Sequence, residues 1–215
     1  MRPERDRASM LAIACVVAWA VAAFAARWVG QWAALGGIAV VLASVCLLTG
    51  RSTRSLWPAT RRAWLVGLGA GLVGGVLMTL ATYGLYDPVV KLAPMFFHDV
   101  THLYGVFAKL PAWVATLILV PVIFSEELVW RGVVQTTLGK SLSAPTAAGV
   151  AALLYAAAHA PAGSPVLLLA ALGCGIVWSA LRGLTGGLVA PIVAHLVWDF
   201  SVLLVHPLAP PVLPS

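Results

Sequence analysis

The chain has 215 residues, of which 61% are hydrophobic and only 9% charged, and its mean hydropathy is +0.99. Soluble domains carry roughly 25% charged residues, so the composition excludes an ordinary soluble domain and predicts an all-α polytopic membrane protein. The net charge of +6 comes from arginines clustered between apolar runs, which is the pattern of an inner-membrane protein. We therefore expect contact with the lipid bilayer and none with nucleic acid.

A membrane-spanning helix needs about 20 apolar residues. Seven segments approach that length, so residues 1–215 are expected to form a single transmembrane domain. In chain order the predicted spans are Met10–Ala26, Trp32–Leu48, Trp64–Tyr86, Trp113–Thr137, Ala144–Ala160, Val166–Leu181 and Leu188–Val205. The third span is rich in glycine, which predicts that a neighbouring helix approaches its backbone closely.

The longest polar connection is Asp87–Pro111, for which we predict an interfacial or re-entrant helix. It contains His98 and His102, whose spacing would suit a metal, but no third ligand is evident nearby and a solvated face is the simpler interpretation. Cys15, Cys46 and Cys174 lie far apart within apolar segments. They are interpreted as small buried side chains and predict no disulfide or metal framework.

The basic residues predict an orientation for the seven spans. With a cytoplasmic amino terminus, most of them fall inside, and the carboxyl terminus falls outside. Those placed inside are Arg51, Arg54, Arg61, Arg62, Lys140 and Arg182, and those placed outside are Arg27, Lys91 and Lys109. The expected location is therefore a bacterial inner membrane, crossed several times.

Few ionisable residues fall within the spans, where they are costly and mark functional sites. They are Glu126, Glu127 and Arg131 in the fourth span, His159 in the fifth, and His195 and Asp199 in the seventh. On a helix, residues four apart share a face, so Glu127 is expected to pair with Arg131, and His195 to lie beside Asp199. Glu126 is rotated about 100° from Glu127 and is available to another helix.

This set suits peptide hydrolysis by an activated water. A carboxylate and a histidine from separate helices can hold and deprotonate the water, and a second histidine with a polar partner can stabilise the oxyanion that forms. No serine in the spans has the context of a catalytic nucleophile. The alternative is that Glu126 is a second structural acid and that His159 and His195 are satisfied buried histidines.

Three motifs in this order are similar to those of the CAAX protease and bacteriocin-processing (CPBP, or ABI) family of intramembrane endopeptidases. The chain has Glu126-Glu127-x-x-x-Arg131 for EExxxR, Tyr155-x-x-x-His159 for FxxxH, and His195-x-x-x-Asp199 for HxxxN/D. The resemblance covers roughly residues 113–205, which would form the catalytic core. Because myxosortases belong to the broader group, a C-terminal sorting-tail processor is one narrower expectation.

The resemblance implies roles for the matching residues. Glu126 and His159 would activate water, and His195 and Asp199 would stabilise the oxyanion. Glu127 and Arg131 would be structural partners of the site. There are two departures: Tyr155 replaces phenylalanine, and Asp199 stands where many members have asparagine. An ionised aspartate cannot donate to an oxyanion, so Asp199 is either protonated or orients His195.

The resemblance also implies a glutamic-type reaction without a cofactor, on a membrane-anchored protein or peptide. A zinc site through Glu126, His159 and His195 is the alternative. A second functional hypothesis is a non-catalytic membrane protein, such as an immunity factor, a chaperone-like partner or a small transporter, with a structural Glu127–Arg131 pair.

The catalytic hypothesis places a condition on the helices. Straight helices normal to the bilayer would leave Glu126 and His159 on the order of 10 Å apart in depth, so the catalytic hypothesis requires tilted or bent helices.

Overall fold

The computed structural model describes residues 2–49, 53–107 and 110–209, which are helical with no strand among them. Two of the basic residues used to predict orientation, Arg51 and Lys109, lie outside the described residues. The α-helices in that part of the chain are α1 (Arg2–Val29), α2 (Gln31–Leu48), α3 (Arg61–Leu92), α4 (Met95–Phe107), α5 (Ala112–Glu127), α6 (Gln135–Leu138), α7 (Ala144–His159), α8 (Pro165–Thr185) and α9 (Val189–Asp199). The predicted all-α class is confirmed.

Each predicted span coincides with a helix, although the helices differ in length. Four stretches in the described residues are long and apolar enough to cross a membrane: Arg7–Val29, Arg61–Leu92, Ala112–Leu138 and Pro165–Thr185. The predicted second and seventh spans are shorter apolar helices, Ala33–Leu48 and Val189–Val205. The fifth corresponds to α7, which has 16 residues. These helices together are those of a multi-pass membrane protein.

Two helices change their winding beside the predicted site. The helix that begins with α5 continues as a π-helix over Leu128–Val134 before α6, and α9 continues as a π-helix over Phe200–Val205. The first π-helix starts directly after Glu127, and the second directly after Asp199. Such segments are rare and frequently occur at functional sites. Sequence periodicity did not predict either of them.

Glycines on one face of α3 bring α9 close, as the composition of the third span predicted. A Cβ atom added at Gly71 would lie 2.6 Å from the carbonyl oxygen of Ala190, and one at Gly75 would lie 2.7 Å from Cβ of Val197. Gly67 meets Val189 in the same way, at 3.1 Å. Because real Cβ atoms do not approach so closely, this packing requires glycine on α3, and it determines where α9 carries His195 and Asp199.

Local signals in the sequence explain the ends of the helices around the site. The side chains of Ser143 and Ser164 accept hydrogen bonds from backbone N–H groups in the first turns of α7 and α8, as N-caps do. Gly163 has a φ of 80° and separates the short 3₁₀ turn after His159 from α8. The chain therefore breaks between α7 and α8, and His159 is the last residue of α7.

Hydrogen bonds connect helix α4 to the start of α8 and to the π-helix that follows α9. The carboxylate of Asp99 accepts hydrogen bonds from the Ser164 hydroxyl and from the backbone N–H of Val166, both at 2.8 Å, at the start of α8. The buried Tyr104 hydroxyl donates to the carbonyl oxygen of Val202 at 2.7 Å, and burial raises its pKa to about 12. His98 and His102 are exposed, as expected for a solvated face.

Candidate active site

The residues predicted to carry chemistry surround one cavity of about 230 Å³. Its carboxyl and imidazole groups are those of Glu126, His159, His195 and Asp199, all of them buried. Most of the remaining lining is apolar and comes from α2, α4, α5, α8 and the end of the chain, including Leu35, Val100, Leu103, Leu119, Ile123, Ala171, Leu203 and Leu208. A small polar group of residues therefore faces a largely apolar space.

The carboxylate of Glu126 reaches across to α7. Its Oε2 atom accepts a hydrogen bond of 2.7 Å from the Tyr155 hydroxyl, and both side chains are buried. Tyr155 in turn lies one turn before His159, and their ring centroids are 4.5 Å apart. Tyr155 therefore connects Glu126 to His159 by contacting both of them.

Glu127 joins two other helical segments through a single oxygen atom. Its Oε1 atom lies 3.2 Å from Nη1 of Arg131 and 2.9 Å from Nδ1 of His195. The pairing with Arg131 agrees with the i, i+4 spacing. The contact with His195 was not predicted, and it means that Glu127 is more than a locally neutralised acid. A carboxylate at Nδ1 orients an imidazole and directs its Nε2 atom elsewhere.

Aromatic rings enclose the guanidinium of Arg131. The Cζ atom lies 4.7 Å from the ring centroid of Tyr155 and 5.2 Å from that of Trp178, and Nη2 donates to the carbonyl oxygen of Gly175 at 3.4 Å. Burying a charge is costly unless it is paired and hydrogen-bonded. Glu127, the two rings and the carbonyl group supply those partners, so Arg131 is fitted to this position in the core.

His195 is held on both edges and on one face. Besides Glu127 at Nδ1, Oδ2 of Asp199 lies 3.4 Å from Nε2. The ring stacks on Trp178 with centroids 3.6 Å apart and planes at 19°. Of the two roles considered for Asp199, orientation of His195 matches this contact. Trp178 was not singled out in the sequence, and nothing in its local pattern predicted the stacking.

Both ring nitrogens of His159 have partners within the protein. Nδ1 lies 2.8 Å from the carbonyl oxygen of Tyr155, and Nε2 accepts a hydrogen bond of 3.2 Å from the indole N–H of Trp19. A carbonyl oxygen can only accept and an indole N–H can only donate, so the ring carries its proton on Nδ1. The Nε2 lone pair, which a water would need, is occupied by Trp19.

The sequence analysis did not identify Trp19 as a residue of the site, although its position within the first span indicated an unusual role. Tryptophan favours the membrane–water interfaces, whereas Trp19 lies near the middle of the stretch Arg7–Val29. It is fully buried and packs edge-on against Trp130, with ring centroids 5.8 Å apart. An indole in the middle of a span needs a partner for its N–H group, and here that partner is His159.

The zinc site considered as an alternative would use Glu126, His159 and His195. Within the described ranges, no group of three or more His, Cys, Asp and Glu side chains lies close enough together to hold a metal ion. Both ring nitrogens of His159 are bonded within the protein, so a metal ion, like a water, would have to displace the Trp19 N–H from Nε2.

The fold and this site define a class: multi-pass α-helical membrane proteins with an ionisable cluster and a cavity enclosed between their helices. Residues 107–201 match the model of a protein family described as "Type II CAAX prenyl endopeptidase Rce1-like". All three motifs fall inside the match, so the resemblance to the CPBP family is confirmed over this segment. The match covers a little under half of the chain and leaves α1 to α3 and nearly all of α4 outside. No curated protein and no solved structure matches the chain.

Proposed function

We propose that this protein is an intramembrane endopeptidase that hydrolyses a peptide bond near the membrane-embedded end of a protein or peptide. The observation that carries the proposal is the common cavity of Glu126, His159, His195 and Asp199. The match of residues 107–201 to the model of the CAAX prenyl endopeptidases supports the same class of reaction. An apolar lining around a few polar groups is typical of a site that binds an apolar ligand, as a membrane-anchored substrate would be.

In the proposed reaction Glu126 is the general base. Tyr155 engages its Oε2 atom, which leaves Oε1 for the water. The water loses a proton to Glu126 while its oxygen bonds to the carbonyl carbon of the substrate. The tetrahedral intermediate then collapses, the C–N bond breaks, and the proton passes from Glu126 to the leaving nitrogen. His159 is the second group of the water-activating pair, and it can bind the water at Nε2 only after the Trp19 N–H has left that atom.

His195 is proposed to stabilise the oxyanion of the intermediate. Its ring is fixed by Glu127 and by stacking on Trp178, and a preorganised donor is more effective than one that must reorient. Because Oδ2 of Asp199 lies 3.4 Å from Nε2 of His195, Asp199 is proposed to orient the ring before the reaction and to release that N–H to the oxyanion as it forms. Arg131 is proposed to balance the charge of Glu127. We further propose that the reaction is of the glutamic type and uses no metal ion.

The substrate is proposed to be anchored in the bilayer, and its chemistry can be tested directly. The purified protein in liposomes is offered two quenched-fluorescence peptides, one with a farnesylated cysteine three residues from its end and one with an apolar carboxy-terminal segment. Cleavage of the first would identify a CAAX-type substrate, and cleavage of the second a sorting tail. We also propose a bacterial inner membrane as the location, with the amino terminus cytoplasmic and the carboxyl terminus outside.

The test of the catalytic proposal is the substitution Glu126→Gln. We expect kcat to fall by a factor of about 10² to 10⁴, the usual contribution of a general base. The matched control is Asp87→Asn, the same chemical change at an exposed carboxylate on α3, and it should retain wild-type activity. Wild-type activity should also survive a chelator. Cleavage by Glu126→Gln at the wild-type rate would contradict the assignment, and zinc-restored activity after chelation would contradict the metal-free reaction.

A further inference from the structure

We propose that Tyr155 is a positioning residue that sets the place of both Glu126 and His159. It donates from its hydroxyl to Oε2 of Glu126 at 2.7 Å, and its backbone carbonyl accepts from Nδ1 of His159 at 2.8 Å. One residue thus contacts the proposed base on α5 and the histidine on its own helix. The inference rests on the proposed function and adds a residue that was not among the candidate site residues.

The ring of Tyr155 is held from several sides, so its hydroxyl has little freedom. The guanidinium of Arg131 lies over one face at 4.7 Å. Trp130 contacts the ring edge-on at 5.1 Å between centroids. Gly175 makes room for it, because a Cβ atom there would lie 3.2 Å from Cδ1 of Tyr155. A side chain fixed by such packing can hold a catalytic group in place with little loss of entropy on reaction.

The hydroxyl also decides which carboxylate oxygen of Glu126 remains for water. Without this bond both oxygens of a buried carboxylate would be open to rotation about the last side-chain bond. Glu126 lines the cavity, and with Oε2 engaged by Tyr155, Oε1 is the oxygen that remains for the water of the proposed reaction. Tyr155 therefore acts on the chemical step through Glu126 and contributes little to substrate affinity.

The test is Tyr155→Phe, which removes one oxygen atom and keeps the ring. A hydrogen bond to a charged group is worth about 1.5–3 kcal/mol, so we expect kcat to fall by a factor of about 10 to 150 while KM changes less than about twofold. The matched control is Tyr83→Phe. Tyr83 is partly buried on α3 and does not line the cavity, and its hydroxyl donates to the carbonyl oxygen of Ser201 at 3.0 Å instead of to a site residue.

A second measurement does not depend on turnover. The infrared carboxyl band of Glu126 is identified as the band lost in Glu126→Gln. We expect this band to shift in Tyr155→Phe, because the carboxyl group loses its donor, and to keep its position in Tyr83→Phe. An unshifted band in a folded Tyr155→Phe protein would overturn the inference, as would a wild-type kcat.

These outcomes separate the inference from the proposed function. If Glu126→Gln remains active, or if neither peptide is cleaved by the wild type, the proposed function fails, while the carboxyl band still decides whether Tyr155 holds Glu126. If Glu126→Gln is inactive and Tyr155→Phe behaves like Tyr83→Phe in both measurements, only the inference about Tyr155 fails.

Discussion

The two neighbouring glutamates contact different helices. Glu126 receives the hydroxyl of Tyr155 on α7, whereas Glu127 contacts Arg131 in its own helix and His195 on α9. The spacing of residues predicted the pair of Glu127 with Arg131, because residues four apart on one helix are neighbours whatever surrounds them. The contact with His195 was not predictable in this way, since it depends on the depth at which α9 crosses α5.

His159 provides a prediction at the scale of one hydrogen bond. The indole N–H of Trp19 occupies the Nε2 lone pair that water would use. A hydrogen bond contributes about 0.5–1.5 kcal/mol net, and 1.4 kcal/mol corresponds to a factor of ten. We therefore expect Trp19→Phe to raise kcat, by up to about tenfold, because water no longer competes with the indole. The measurement is kcat at saturating peptide.

Trp130→Phe is the control for this prediction. Trp130 packs against Trp19 and is equally buried, but its Nε1 atom has no hydrogen-bond partner among the described residues. Both variants lose the same volume from the same part of the core. The difference in kcat between them therefore reports the effect of the Trp19 N–H group alone. A kcat that falls further in Trp19→Phe than in Trp130→Phe would show that the indole supports the reaction instead of competing with it.

At the scale of helices, the contact of α3 with α9 places both residues of the proposed oxyanion site, His195 and Asp199. Gly67, Gly71 and Gly75 recur every four residues and let α9 lie against the backbone of α3. Trp198 adds a hydrogen bond of 2.9 Å from its indole N–H to the Thr82 hydroxyl. Because His195 lies between these contacts along α9 and Asp199 directly follows the last of them, their position depends on a helix outside the family match.

The substitution Gly71→Ala tests this dependence. Its Cβ would lie 2.6 Å from the Ala190 carbonyl oxygen, so α9 must move, and overpacking of this kind costs about 1–3 kcal/mol. We expect a lower midpoint of thermal unfolding and a lower kcat. Gly69→Ala is the control, because nothing lies within 4 Å of a Cβ added there and alanine favours a helix over glycine. A Gly71→Ala protein as stable and active as Gly69→Ala would contradict the prediction.

The sequence predicted the helices and the residues that gather at the site, but not their relative depth. Apolar length and the charged motifs are local properties and can be recognised in any sequence. Whether Glu126 and His159 meet depends on helix tilt and axial offset, which tertiary packing sets. Straight helices predicted a gap on the order of 10 Å, yet Tyr155 contacts both residues. The π-helices after Glu127 and Asp199 were unpredictable for the same reason.

At the scale of the whole molecule, the site draws on helices from both halves of the chain. The family match begins at residue 107, yet Trp19 on α1 bonds to His159, Leu35 and Gly36 on α2 line the cavity, and α3 packs along α9. Arg27 on α1 also donates to the carbonyl oxygen of Pro161, just beyond His159. The amino-terminal helices thus form part of the wall around the motifs.

The proposed orientation of the chain across the membrane can be tested at two exposed residues. A cytoplasmic amino terminus places Lys140 inside and Asp87 outside, because an odd number of predicted spans separates the two residues. Both are exposed. In intact cells, a membrane-impermeant thiol reagent should therefore label Asp87→Cys, and it should label Lys140→Cys only after the membrane is opened. The wild-type protein is the control, since Cys15, Cys46 and Cys174 are buried. Labelling of both sites from outside would contradict the span count between them, and the reverse pattern would invert the proposed orientation.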